Sequence, residues 1–152
     1  MVNDLVSVFE LDLQRFGLPL HSTREFLRAV SIVSLPKAPE VIEGIIDVRG
    51  EVLPVLDIRK RFGLPEKPLH PRDHFVVGIA GHRNVALRVD RLNGLYDIPK
   101  TAITDSSAIS SRVEHISGVA RLADGLILIH DLDTFLSRSE SADLDRALQN
   151  KQ

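Results

Sequence analysis

The chain of 152 residues contains no cysteine. Disulfides, thiolate nucleophiles and cysteine-ligated zinc are therefore excluded, and the composition suits the reducing cytoplasm, where we expect the protein to work. No apolar run approaches the ~20 residues that cross a bilayer. The N-terminus carries no basic region of the kind that begins a secretion signal. We therefore expect a soluble, cytoplasmic protein that reaches a membrane only through a partner, without direct insertion.

An excess of charge of one sign is also missing. The chain has 19 Lys and Arg residues against 21 Asp and Glu residues, which gives a net charge of −2. Because nucleic-acid binding uses a basic surface, we expect no nucleic-acid partner. The six histidines are scattered without metal-ligand spacing, and no Gly-rich phosphate loop or Gly-x-Ser-x-Gly motif is present. We therefore predict no catalytic residue, no metal and no cofactor, which removes the common enzyme classes.

What the chain does contain is a stretch that occurs twice in altered form. GIIDVRGEVLPVLD at residues 44–57 returns as GVARLADGLILIHD at residues 118–131. In each copy a glycine opens an apolar strand, a charged turn follows, and a second apolar strand ends in aspartate. A short helix-like run then follows, at 58–62 and at 132–136. The repeat indicates a duplicated β unit, with chance resemblance between short strands as the alternative. Paired β units of this size more often form binding surfaces than reaction centres.

A second pair of segments has a similar duplication. Residues 6–11 alternate apolar and polar side chains, and residues 15–20 form a second strand after a turn. The same strand, turn and strand return at 75–80 and 84–89. About ten short strands with few helices predict an all-β fold, namely a pair of small β-barrels. Pro54 lies inside one predicted strand, which places that strand at an edge or at a bulge.

The remaining segments are predicted from local signals. Ser22 and Glu25 have capping-box spacing, so a short helix is expected to begin at Ser22. Prolines mark residues 63–73 as the connector between the two halves. Further predictions are a strand over 30–35, a Ser/Thr-rich loop over 99–111 and a C-terminal helix over about 139–150.

With these strands assigned, the string GIIDVRG at 44–50 followed by VLPVLD at 52–57 resembles the CheW family of chemotaxis adaptors. The likeness covers roughly residues 6–136. It implies a single domain over 1–152, made of two intertwined five-stranded SH3-like barrels, without catalysis. It also implies an adaptor that couples methyl-accepting chemoreceptors to the histidine kinase CheA and is monomeric alone. Further fragments fall in the family's order at 16–20, 23–25, 35–36, 89–91 and 118–119.

The resemblance also implies where the partners bind. Family members hold the receptor's cytoplasmic helical tip in a groove between the barrels, and bind the regulatory domain of CheA through barrel-to-barrel contacts. We expect kinase binding at exposed apolar positions near Leu35 and Pro36. Arg49 is the first choice for the receptor side, because a guanidinium on a turn suits interface recognition; a solvated turn arginine is the alternative. The predicted receptor-binding residues are Arg49, Thr23, Glu25, Val48 and Gly50.

Two residues depart from the family pattern. Asp47 stands where the family usually has asparagine, and Thr23 stands where a small apolar residue, often valine, is usual. Threonine keeps the shape of valine but adds a hydroxyl, so the exchange is not neutral in a dry contact. Both changes bear on which receptor is recognised.

Other polar or aromatic residues have structural explanations. Asp57 and Asp131 each close a strand before a helical run, which is typical of N-caps rather than of a catalytic pair. His130 is expected to be a satisfied core or rim residue, and Phe26 a core residue. Two functional alternatives remain: an adaptor for pilus motility or another kinase output, and a small-molecule-binding or hydrolytic β-barrel with a polar pocket at 64–74 or 99–111.

Overall fold

The computed structural model describes residues 3–105 and 115–151, and this part of the chain is mostly β-strand. Its two helices are short or peripheral: α1 covers Ile58–Arg61, and α2 covers Arg138–Lys151. Single 3₁₀ turns cover Leu20–Ser22, Lys100–Ala102 and Leu132–Thr134. The strands are β1 Asn3–Leu11, β2 Gln14–Pro19, β3 Thr23–Arg28, β4 Ile42–Val48, β5 Glu51–Leu56, β6 His74–Ala80, β7 Arg83–Val89, β8 Arg91–Pro99, β9 Ile103–Asp105, β10 Ile116–Leu122 and β11 Gly125–His130.

The strands form two sheets that exchange parts of the chain. The first sheet has the order β8-β1-β2-β11-β10-β9, and the second has the order β3-β6-β7-β5-β4. The hairpin β1–β2 from the first half therefore joins strands of the second half, while β6–β7 joins β3, β4 and β5. This confirms the prediction of an all-β fold with two intertwined units. The first sheet has six strands because the three-residue β9 pairs with β10.

The two copies of the sequence repeat form equivalent hairpins, β4–β5 and β10–β11. Each has an irregular register just before the glycine that both copies share, between Ile42 and Gly44 and between Ile116 and Gly118. A Cβ on Gly44 would lie 2.3 Å from the carbonyl oxygen of Val33, and one on Gly118 would lie 2.9 Å from that of Thr104. Both glycines are therefore required because another backbone segment crosses the hairpin at this point. The shared geometry supports duplication.

Two local predictions were wrong, and a third was wrong in one of its two alternatives. No helix begins at Ser22, because residues 23–28 form β3 and pair with β6, and this pairing overrides the local capping signal. Residues 30–35 make one isolated bridge, from Val33 to Ile45, rather than a strand. β5 lies between β4 and β7, so the edge alternative for Pro54 was wrong. The bulge alternative is supported by the irregular β4–β5 register between Ile42 and Gly44, next to Pro54. The missing N–H of Pro54 is tolerated because the ladder to β7 includes only Val55 and Leu56.

Other local predictions were confirmed. The carboxylate of Asp57 accepts a hydrogen bond from the backbone N–H of Lys60, and that of Asp131 accepts one from Asp133, so both aspartates are N-caps. The C-terminal helix is present as α2. The loop predicted over 99–111 was wrong in its described part, because Pro99 ends β8 and residues 100–105 form a 3₁₀ turn and β9 that pairs with β10; residues 106–111 lie outside the described part of the chain.

The main hydrophobic core lies between the two sheets. Phe9 and Phe16 enter it from the first sheet, and Val76 and Leu87 enter it from the second. Helix α2 closes one side of this core. Each sheet also has a smaller hydrophobic cluster of its own. The cluster of the first sheet includes Val6, Val8 and Ile127, and that of the second includes Ile46, Leu53 and Phe75. Helix α2 contributes Leu144 and Ala147 to the main core.

Candidate partner-binding site at the seam between the sheets

Arg49 lies at the tip of the β4–β5 hairpin. Val48 pairs with Glu51, so Arg49 and Gly50 form a two-residue loop, and both have positive φ, at 51° and 87°. This is the backbone geometry of the tight turns that match strand twist. The Asp47 carboxylate accepts a 2.8 Å hydrogen bond from the N–H of Gly50. An asparagine side-chain oxygen can accept the same bond, so the Asp47 departure leaves the turn intact.

The turn carries an exposed ion pair between residues that are distant in sequence. Arg49 Nη2 lies 2.5 Å from Oε2 of Glu25 on β3, and the two side chains are 69% and 35% exposed. An exposed pair of this kind contributes about 0–1 kcal/mol to stability. Glu25 is not a capping residue, since β3 replaces the expected helix. Its carboxylate instead orients the arginine that the sequence singled out.

Two further contacts connect the hairpin to its surroundings. Asn84 of β7 accepts a hydrogen bond from Arg24 and donates one of 2.9 Å to Glu51, the residue after the turn. Phe26 is 39% exposed, so the prediction that it lies in the core was wrong. The alternation of β3 turns it outward together with Arg24, while Leu27 packs towards the core. The hairpin that carries Arg49 is therefore joined to β3 through Glu25 and to β7 through Asn84.

Thr23 connects the two sheets at the start of β3. Its hydroxyl donates a 3.1 Å hydrogen bond to the carbonyl oxygen of Pro19 and accepts one of 3.2 Å from the hydroxyl of Ser7. Pro19 and Ser7 belong to β2 and β1 of the first sheet. We call this junction the seam, defined by Ser7, Pro19, Thr23, Glu25 and Arg49. The seam brings three predicted receptor-binding residues together, while Val48 and Gly50 flank Arg49 in the chain.

Two leucines next to the seam were missed by the sequence analysis. Leu95 of β8 pairs with Ser7 of β1, and Leu5 precedes Ser7 by two residues. Paired residues and residues two apart share one face of a sheet, so both leucines lie on the face of Ser7. Each is about half exposed. A hollow of about 510 Å³ begins at Leu5 and is also lined by Pro19 and Leu20. The sequence analysis missed them because it did not predict β8, in which the alternation of apolar and polar residues is interrupted near Gly94.

The expected kinase-binding positions have different exposures. Leu35 is only 6% exposed and belongs to the main core, which also contains Leu144 and Ala147 of α2. The expectation that Leu35 is exposed was therefore wrong, because the core that includes α2 takes up its side chain. Pro36 is exposed, next to Lys37 and Ala147 at a shallow hollow. A role of Leu35 and Pro36 in kinase binding stays a prediction, with Pro36 as the accessible member.

A polar hollow of about 480 Å³ lies next to the connector, where one alternative expected a ligand pocket. Arg59 and Arg88 line it, and both are bound internally: Arg59 donates to both carboxylate oxygens of Asp90, and Arg88 donates to Glu43 at 3.0 Å. Burial tends to raise the pKa of Asp90, but hydrogen bonds from Arg59 and from the N–H of Asp12 hold it below its usual value. Burial raises the pKa of Glu43 despite its contact with Arg88. These arginines have structural partners.

His130 was expected to be satisfied, and this was wrong. The residue is buried, and neither ring nitrogen has a hydrogen-bond partner in the described part of the chain. Its ring lies between those of Phe62 and Phe135, with centroids 5.3 Å and 5.6 Å away. Burial, with a smaller contribution from His115, lowers the pKa of His130 to about 3.

No helix within residues 3–105 and 115–151 has the length and apolar character to span a membrane.

An all-β pair of interleaved sheets with an exposed ion pair, Arg49–Glu25, at a hairpin tip is typical of a protein-binding module. Comparison with known proteins agrees, since residues 6–140 match the CheW-like domain family. The chain belongs to this family, whose members are non-catalytic adaptors of chemotaxis signalling.

Individual relatives support the family assignment. The chain is 34% identical to Protein FrzA of Myxococcus xanthus over 108 residues, which cover 70% of this chain and 68% of that protein. It is 22% identical to the chemotaxis protein CheW of Treponema pallidum, covering 87% and 81% of the two chains. The crystal structure of the scaffolding protein TtCheW from Thermoanaerobacter tengcongensis superposes with a TM-score of 0.81 at 27% identity, covering 92% of this chain and 96% of that one.

Proposed function

We propose that this adaptor couples chemoreceptors to a CheA-type histidine kinase, with the receptor's helical tip bound at the seam. The observation that carries the proposal is the exposed Arg49–Glu25 pair, which joins the tip of the β4–β5 hairpin to β3 two residues after Thr23, whose hydroxyl contacts the first sheet. Exposed Leu5 and Leu95 lie on the adjoining face of the first sheet. An apolar strip next to a charged pair suits an amphipathic helix, whose apolar side chains pack while its polar ones pair.

The kinase contact is proposed at the other predicted surface, around Pro36. The regulatory domain of the kinase would meet the second sheet there by the barrel-to-barrel contacts that the family resemblance implies. An adaptor that binds both partners raises their effective concentration and fixes their relative orientation. Receptor signals can then bias kinase activity through the differential contacts of the two receptor states.

A second candidate output deserves its own test. The relative with 34% identity is Protein FrzA, which does not carry a chemotaxis name, whereas the relative at 22% identity does. This favours keeping a pathway other than flagellar chemotaxis, such as pilus motility, as the alternative. Binding measured against the regulatory domain of every CheA-type kinase in the source organism decides between them, because the adaptor should prefer one kinase clearly.

The receptor site is tested by Arg49→Glu, with Asp124→Arg as the matched control. Asp124 lies at the tip of the equivalent β10–β11 hairpin, is 71% exposed and pairs with Arg15 at 3.1 Å. Both variants reverse one exposed charge of a hairpin-tip ion pair. We expect Arg49→Glu to lose about 30-fold or more in affinity for a soluble receptor-tip fragment, as truncation of a hot spot does, while Asp124→Arg binds normally. Normal assembly of folded Arg49→Glu with the receptor fragment would contradict the assignment.

A further inference from the structure

The seam contains a short chain of hydrogen bonds that joins the two sheets. Ser7 of β1 donates to the hydroxyl of Thr23 on β3, and Thr23 donates in turn to the carbonyl oxygen of Pro19 at the end of β2. The threonine hydroxyl therefore accepts one hydrogen bond, from Ser7, and donates one, to Pro19. Three strands of the two sheets therefore meet at a single oxygen atom.

Burial makes the two hydroxyls dependent on each other. Ser7 is fully buried, so its hydroxyl has no water available if Thr23 loses its oxygen. A valine at position 23 would keep the shape of threonine but would leave the Ser7 hydroxyl without its acceptor and the Pro19 carbonyl without this donor. Leaving a buried polar group unpaired is more costly than replacing both partners by apolar groups. The hydroxyl at Thr23 is thus matched to the serine at position 7.

We propose that Ser7 and Thr23 form a positioning pair that locks β1 against β3 and so sets the receptor site. Glu25 follows Thr23 on β3 and pairs with Arg49, while Leu95 on β8 pairs with Ser7 on β1. The lock therefore fixes the placement of the Glu25–Arg49 pair relative to Leu95. Its effect on receptor binding rests on the function proposed above. The lock itself is a property of this chain alone. Thr23 therefore acts through placement, and its polarity is satisfied inside the protein.

The lock is tested without any receptor by a double-mutant cycle of full-length protein. Unfolding in urea is measured for wild type, Ser7→Ala, Thr23→Val and the double variant. We expect Thr23→Val to raise the unfolding equilibrium constant about tenfold or more. The increase in this constant for the double variant should be at least about fivefold smaller than the product of the increases for the two single variants. Effects that multiply independently would overturn the pairing.

Positioning is tested with a soluble receptor-tip fragment and, in parallel, a kinase regulatory domain, at a temperature where all variants are folded. We expect Thr23→Val to weaken receptor binding about tenfold with kinase binding unchanged, and Ser7→Ala in the same chain to restore most of that loss. The conservative variant Thr23→Ser keeps the hydroxyl and should bind within about threefold of wild type. Wild-type receptor affinity in Thr23→Val overturns positioning. If wild type and Arg49→Glu bind the receptor fragment equally well, the proposed function is contradicted. The double-mutant cycle in urea then still tests the Ser7–Thr23 pair, because it does not depend on the receptor.

Discussion

His130 should make the stability of this protein sensitive to acid, and His130→Phe should remove that sensitivity. The imidazole is buried between the rings of Phe62 and Phe135, and among residues 3–105 and 115–151 neither of its nitrogens has a hydrogen-bond partner. His115 lowers the pKa of His130 further, and the Arg61 guanidinium lies 5.0 Å from the centroid of the Phe135 ring. Neither neighbour stabilises an imidazolium. A phenylalanine ring fills similar space without the buried nitrogens.

The magnitude follows from the depressed pKa. The folded value of about 3 lies below the ordinary value of 6.5, so the unfolded chain binds a proton that the folded chain does not bind between these pH values. His130 therefore causes no loss above pH 6.5, and stability falls as the pH drops from 6.5 towards 3. At about 1.36 kcal/mol per pH unit, the loss at pH 5 is about 2 kcal/mol. At pH 7.5 the variant should be at least as stable as wild type, since a buried unpaired polar group costs about 1–3 kcal/mol.

Urea unfolding of both proteins at pH 7.5 and pH 5.0 measures the effect. All other titrating groups, including Asp90 and Glu43, are common to the two proteins. The change in unfolding free energy between the two pH values, compared between wild type and His130→Phe, therefore isolates the effect of His130. We expect wild type to lose about 2 kcal/mol more than His130→Phe between the two pH values. Equal losses would refute the reasoning, because they would mean that the folded protein accommodates the imidazolium.

Two other predictions concern the framework. Gly44→Ala should destabilise the protein by about 1–3 kcal/mol in thermal or urea unfolding, because the new Cβ would meet the Val33 carbonyl oxygen at 2.3 Å; wild-type stability would show that this crossing can widen freely. Arg88→Leu should cost about 3–5 kcal/mol in urea unfolding, because it leaves the buried carboxylates of Glu43 and Asp73 without their cation; a loss below about 1 kcal/mol would show that these carboxylates become neutral or find water.

Local patterns were sufficient for the elements whose signals are local. The alternation of residues 6–11 and its repeat as a strand at 75–80 predicted strands that the structure contains, and the strand-ending aspartates Asp57 and Asp131 predicted N-caps. The repeat predicted two equivalent hairpins because both copies keep the glycine that a crossing backbone requires. Residue type and spacing carry this information directly, so no tertiary contact had to be known.

Two of the failures share one physical cause, which is contact between residues distant in sequence. The capping-box spacing at Ser22 is a valid local signal, but hydrogen bonds from β3 to β6 determine the structure there. Leu35 looks like a surface residue next to Pro36 until α2, about 110 residues later, joins the same core. The site was predicted by family resemblance through Arg49, whereas its contact with Glu25 and its proximity to Leu95 depend on the fold. The register between β1 and β8 was not readable from either strand alone.

The most direct test of the adaptor account is a ternary binding measurement. A soluble receptor-tip fragment is immobilised, saturated with this protein and then exposed to the regulatory domain of the CheA-type kinase. Because the proposed surfaces at Arg49 and Pro36 are separate, the account predicts that the kinase domain binds to the immobilised complex of receptor fragment and adaptor. With the Arg49→Glu adaptor, the receptor fragment should capture no kinase domain, although this variant should still bind the kinase domain in solution. Displacement of the protein from the receptor by the kinase domain would contradict the account.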